Sequence, residues 1–114
     1  MRLSKEEKNI IYTFKKEIEK KFPEEIVEVL IFGSKARGDA DRESDIDILV
    51  ITRSSDRKII KEIRSIGYDL EIDNNIVLSI QVLSREYVNH LRNLPTQFIQ
   101  NVERDAIAVL TRKK

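Results

Sequence analysis

Residues 45–52 read DIDILVIT, two aspartates one residue apart at the head of a run that is otherwise almost wholly apolar. Residues i and i+2 of a strand project to the same face. A strand here therefore points Asp45 and Asp47 together while Ile46 and Ile48 point into a core. Asp is a poor strand former, and two like charges side by side are costly to bury. Two arrangements tolerate the pair. Either both carboxylates stand in solvent at the strand start, or a cation sits between them. A hard cation with oxygen ligands, Mg²⁺ first, is the natural guest, because Mg²⁺ is typically held by one or two carboxylates plus substrate phosphates. The D-x-D pattern alone does not choose between these arrangements.

The rest of the chain supplies a mixed set of elements. Ser4 with Glu7 makes a capping box, and Ile11, Phe14 and Ile18 recur at helical spacing, which predicts a helix over 4–21 ended by Pro23. IVEVLIF is a β-rich run that leads directly into Gly33. SKARG suits a turn of helix and DADRES a loop, and DIDILVIT is the second strand. Asp56 is placed to cap a second long helix with Ile59, Ile63, Ile66 and Leu70 on one face, although Gly67 interrupts it. IVLSIQVL is a third strand, Ser84 caps a short helix to about Leu91, and Pro95 opens a last helix whose Phe98, Ile99 and Val102 face the core. AIAVL closes the chain as a final strand. This alternation predicts an α/β (α+β) fold, a small mixed β-sheet flanked by helices.

Composition excludes several function classes. A chain of 114 residues and 13.4 kDa fits one domain, residues 1–114, with a single core. With 40% hydrophobic and 36% charged residues it folds rather than staying disordered. The net charge is +1 with the signs interspersed, without the basic stripe of a dedicated nucleic-acid binder. The absence of Cys rules out disulfides, thiolate zinc sites and thiol nucleophiles. No run suits a membrane span, and MRLSKEEKNIIYTF lacks a signal-peptide pattern, so a cytoplasmic location is expected. His90 is the single histidine, in a polar segment, and is expected to be exposed.

Gly33 and Ser34 lie where a strand runs into a helix, and a helix N-terminus aims free N–H groups at an anion. Glycine allows close backbone approach to a phosphate, and the Ser hydroxyl adds a donor. The segment spells G-x-x-x-x-G, but Asp39 and Ala40 occupy the places where a Walker A loop has Lys and Ser or Thr. A Rossmann fingerprint is absent too. What remains is a phosphate cradle followed closely by a candidate metal pair.

GS, ten residues, then D-I-D resembles the signature of the DNA polymerase β-like nucleotidyltransferase superfamily. The wider run GSKARGDADRESDIDILV is similar to its minimal nucleotidyltransferase (MNT) members, the MntA-like antitoxins of HEPN/MNT pairs. The resemblance covers the chain in length and element order, with specific identity confined to residues 33–50. It implies a polymerase β palm-like fold and transfer of AMP from MgATP to a hydroxyl of a partner protein, a small helical HEPN-type toxin. It assigns Gly33 and Ser34 to the triphosphate and Asp45 and Asp47 to Mg²⁺. Arg37 reaches a phosphate from the first helical turn, or is a solvated cation.

Active relatives carry a third carboxylate on a neighbouring strand. The corresponding strand here, IVLSIQVL, offers Ser79 and Gln81. Asp69, Glu71 and Asp73 fall on the preceding helix, and Glu86 lies beyond the strand. Two further readings therefore stand beside the protein adenylyltransferase. One is a weakened or inactive binding module that neutralises its partner by contact. The other is a small-molecule adenylyltransferase with a separate substrate-binding subunit.

Overall fold

The computed structural model describes residues 3–33, 45–94 and 96–111. The SKARG turn, the DADRES loop and Pro95 lie outside the described residues. Helix α1 (Lys5–Lys21) starts at Ser4, whose Oγ accepts from Glu7 N at 3.0 Å while Glu7 Oε1 accepts from Ser4 N at 2.9 Å. That reciprocal box satisfies two donors a bare helix start would leave open. Ile10, Ile11, Phe14 and Ile18 form the buried stripe, and the outer face carries a Lys15–Glu19 pair at 3.1 Å.

Strand β1 (Ile26–Phe32) pairs antiparallel with β2 (Ile46–Thr52). Helix α2 (Arg57–Asn74), capped by Asp56 at Lys58 N (2.8 Å), crosses over to β3 (Leu78–Ser84), which pairs parallel with β2. Helices α3 (Arg85–Arg92) and α4 (Gln97–Asp105) follow, capped by Ser84 and Thr96, and β4 (Ile107–Thr111) returns antiparallel to β1. The sheet order is β3-β2-β1-β4. The expected third strand, residues 76–83, begins two residues later than read. Asn75 ends α2 in the left-handed conformation, and Ile76 and Val77 lead in, the Val77 carbonyl accepting from Ile46 N at 3.1 Å.

Two apolar clusters sandwich the sheet. Ile46, Ile48 and Val50 join α1 and α2 on one face. Leu49 and Ile51 join Val27, Val88 of α3, and Ile99 and Val102 of α4 on the other. Strand β2 is thus buried on both sides, which is why DIDILVIT reads as an almost continuous apolar run. Each of its fully buried branched side chains contributes roughly 1.5–3 kcal/mol. Thr52 is the buried polar exception, and its hydroxyl donates to Ser54 O at 2.7 Å. Among the described residues no helix is long and apolar enough to cross a membrane.

Helix α2 has two unusual features. Its charges suit its own dipole only at the Asp56 cap: the first turn holds no acid and the last turn no base, at a cost of about 0.3–1 kcal/mol for each misplaced charge. Its Gly67 is buried, and a Cβ there would overlap Ile80 Cδ1. The glycine that looked like a weak point in the helix is where α2 lies against β3. Gly67→Val is expected to lower stability by about 1–3 kcal/mol, read from the urea midpoint. Ile80→Val, which removes the opposing methyl, should recover part of that loss. An unchanged midpoint in Gly67→Val would show that helix and strand are not in contact there.

Candidate active site

The site forms where β1 ends and β2 begins. Phe32, the last residue of β1, is the register partner of Asp47, and Gly33 follows at once. Gly33 has φ +74°, a conformation other residues adopt with strain. A Cβ on Gly33 would overlap Asp47 Oδ2 and lie 3.2 Å from Asp47 Cγ. The glycine backbone therefore rests directly on the carboxylate. The two halves of the motif, separated in sequence by the loop, meet in space at this contact.

Ile46 and Ile48 are 1% and 0% exposed, as the alternation requires. Asp47 accordingly shares the α3/α4 side of the sheet with Leu49 and Ile51 and is half-buried. Asp45 stands just ahead of the first ladder residue and is exposed, and continuing the alternation puts it on the same side as Asp47. Ser34 and Arg37 lie outside the described residues.

Asp47 has Phe32 beside it on β1 and Ser79 beside it on β3, while Gln81 pairs with Leu49, two residues further along. Ser79 is half-buried and Gln81 exposed. Among the described residues no group of three acidic, His or Cys side chains is arranged to hold a metal. The other acids are placed elsewhere, as the sequence reading had them. Glu71 stays in α2 and accepts from Leu78 N at 2.6 Å, Asp73 is exposed on α2, and Glu86 sits in the first turn of α3, past the far end of β3. His90 is exposed.

One contact escaped the sequence reading. The Phe32 ring packs edge-on against Phe98 of α4, with centroids 5.7 Å apart at 85°. This pair forms an apolar wall beside Asp47 and ties the end of β1 to α4. Phe98 had been read as facing the core, and Phe32 stood unremarked in front of Gly33. The signal was the aromatic adjoining the motif glycine.

The family model of the nucleotidyltransferase domain matches residues 11–108. The chain belongs to this nucleotidyltransferase family. "Putative protein adenylyltransferase MJ0141" of Methanocaldococcus jannaschii is 32% identical over 100 residues, covering 88% of this chain and 95% of that one. Among solved structures, a toxin-antitoxin with AMP-PNP matches with a TM-score of 0.55 and 20% identity, covering 92% of this chain and 73% of the other. A mutant of the toxin-antitoxin MntA-HpeT matches with a TM-score of 0.59 and 19% identity, covering 98% and 76%. At those identities the two structures attest the fold. The expected membership of the nucleotidyltransferases is met.

The Gly33–Asp47 contact makes a prediction for this nucleotidyltransferase. Gly33→Ala is expected to destabilise the fold by about 1–3 kcal/mol, through the positive φ and the overlap with the carboxylate. Asp47→Ala should relieve the second part, so the cost of Gly33→Ala measured by thermal melting should be smaller in that background. Equal costs in both backgrounds would show that Asp47 does not press on Gly33.

Proposed function

We propose that this chain transfers AMP from MgATP to a hydroxyl of a partner protein, as the antitoxin of a cytoplasmic pair whose toxin is a small helical HEPN-type protein. The observation that carries the proposal is the seating of Gly33 on Asp47, which joins a phosphate-approach point to a carboxylate in one place. The names of the M. jannaschii relative and of the toxin-antitoxin neighbours support the acceptor and the partner.

The residues present suit a magnesium ion. Asp45 and Asp47 are hard oxygen donors at i and i+2, at the exposed head of an otherwise buried strand. Together with nucleotide oxygens they would hold the ion, with Ser79 leaving the third strand position neutral. When bound, Mg²⁺ supplies neutralisation of phosphate charge and stabilisation of the departing pyrophosphate. Gly33, lacking a side chain, leaves its backbone open to a phosphate, and Ser34 and Arg37 contribute donors. The acceptor oxygen attacks the α-phosphorus in line and forms a new P–O bond. The α–β bridging P–O bond breaks, pyrophosphate leaves, and the hydroxyl proton passes to solvent.

A second reading has one observation in its favour: Ser79, not an acid, stands beside Asp47. In that reading the chain binds and neutralises its partner without transfer. Intact-mass spectra of the co-purifying partner, before and after MgATP, separate the two. The expected result is a partner gaining one or more AMP groups, with the gain removed by EDTA. A partner that stays bound at unchanged mass would favour the binding module.

Asp45→Asn and Asp47→Asn should each cut transfer by roughly 100-fold or more, with the helical circular-dichroism signal of the fold retained. Full activity in either variant would refute the metal assignment. Ser79→Asp adds an acid at the register position beside Asp47 and is expected to tighten Mg²⁺ binding by the isolated chain, measured by calorimetry. Gln81→Asp, two residues further along, should not.

A further inference from the structure

The Gly33–Asp47 contact gives the site a direction across the sheet. The strand order is β3-β2-β1-β4, so Gly33, at the end of β1, flanks Asp47 on one side and Ser79 of β3 flanks it on the other. The two flanks stand two strand spacings apart, roughly 10 Å. In phosphoryl transfer the attacking and leaving oxygens lie roughly in line. With the triphosphate on Gly33, pyrophosphate departs toward β1, and the acceptor oxygen has to come in over β3. The side of β3 that meets this approach is open. Residues 77, 79 and 81 share the face of Asp47 by the parallel register and the strand alternation, and Val77 falls beside Asp45. Val77 is 57% exposed, Ser79 half-buried and Gln81 exposed. Leu83, next on that face, is packed into the cluster that α3 and α4 cover.

We propose that Val77, Ser79 and Gln81 form the acceptor strip of the site, on which a neutral, apolar-flanked segment of the partner protein lays its hydroxyl. The inference rests on the AMP-transfer reading above and adds where the acceptor lies and what surrounds its hydroxyl. Strand β3, LSIQVLS, carries no charged side chain, and Val77 ahead of it is apolar. Glu71 reaches the strand from α2, but its carboxylate accepts from Leu78 N at 2.6 Å. Arg85 and Glu86 belong to α3, past the far end of β3. A polyanionic acceptor such as a nucleic-acid end would meet Asp45 and Asp47 with no cation on the strip to hold it. A polycationic acceptor would find no carboxylate on the strip either. A neutral hydroxyl suits it: the Gln81 side-chain carbonyl or Ser79 Oγ accepts its hydrogen bond, and an apolar neighbour covers Val77. The hydroxyl proton leaves to solvent as the new P–O bond forms and the α–β bridging P–O bond breaks.

Steady-state transfer by the full chain to its co-purifying partner tests the proposal, with the partner and MgATP varied in turn. Val77→Asn combined with Gln81→Ala, both at exposed positions, should raise KM for the partner roughly tenfold or more, as loss of a central contact does. The affinity of the isolated variant for MgATP, measured by calorimetry, should match the wild type, with the circular-dichroism signal retained. Ala108→Asn, exposed on β4 at the opposite edge of the sheet, should change neither quantity. Three results would overturn the strip while leaving AMP transfer standing. One is a folded double variant whose KM for the partner is unchanged. Another is a double variant that loses affinity for MgATP and partner alike, which would put the strip in the nucleotide site. The third is AMP passed to a short RNA or an amino sugar instead of the partner. A wild type that binds MgATP and never modifies the partner would remove the transfer reading, and the strip with it.

Discussion

Strand β2 has to be buried on both faces and yet begin in water. Its apolar residues are shared between two clusters, one under α1 and α2 and one under α3 and α4. Neither layer could pack on the sheet if the strand carried charge along its length. The aspartates are tolerated because they sit at its open head, where β1 has just ended. That single constraint sets the architecture: a central strand made of core, with its polar chemistry at one end. The glycine after β1 completes it, since any side chain at residue 33 would press on the carboxylate.

Much of this was legible in the sequence because the signals were local. Ser4, Asp56 and Ser84 each cap the helix they were read to cap. IVEVLIF is β1 from end to end, and Ile63 and Leu70 are buried as the helical spacing required. The motif residues Gly33 and Asp47 were singled out, but their contact was not, because it depends on the β1–β2 register, which no local pattern encodes. The same holds for Ser79. Two candidates for the missing acid position, Ser79 and Gln81, could not be ranked until the parallel pairing set Ser79 beside Asp47. The Phe32–Phe98 wall joins residues far apart in the chain, and pairings of that kind leave no trace in periodicity.

The grouping of charge on α2 shows a further limit of composition. Over the whole chain the signs are mixed and nearly balance. Wound into a helix, Arg57, Lys58, Lys61 and Arg64 gather in the first half, with Glu62 among them and paired to Lys21, while Asp69, Glu71 and Asp73 gather in the second, with Tyr68 and Ile72 on the exposed side. Net charge is a sum, whereas a surface is read by arrangement. The buried stripe of Ile63, Gly67 and Leu70 holds the helix in place although its last turn carries acids and no base.

The bond from Leu78 N to Glu71 has a bearing on how the protein survives at high concentration. Ile46 N–H takes the carbonyl of Val77, so by alternation the N–H of Leu78 points away from β2, out to the rim of the sheet. A free donor at the start of a rim strand is an invitation to any loose extended chain. Here the carboxylate of Glu71 already fills that place at 2.6 Å. An intruding strand would have to evict a charged acceptor before making its first bond, so the sheet meets stray chains with its leading donor occupied.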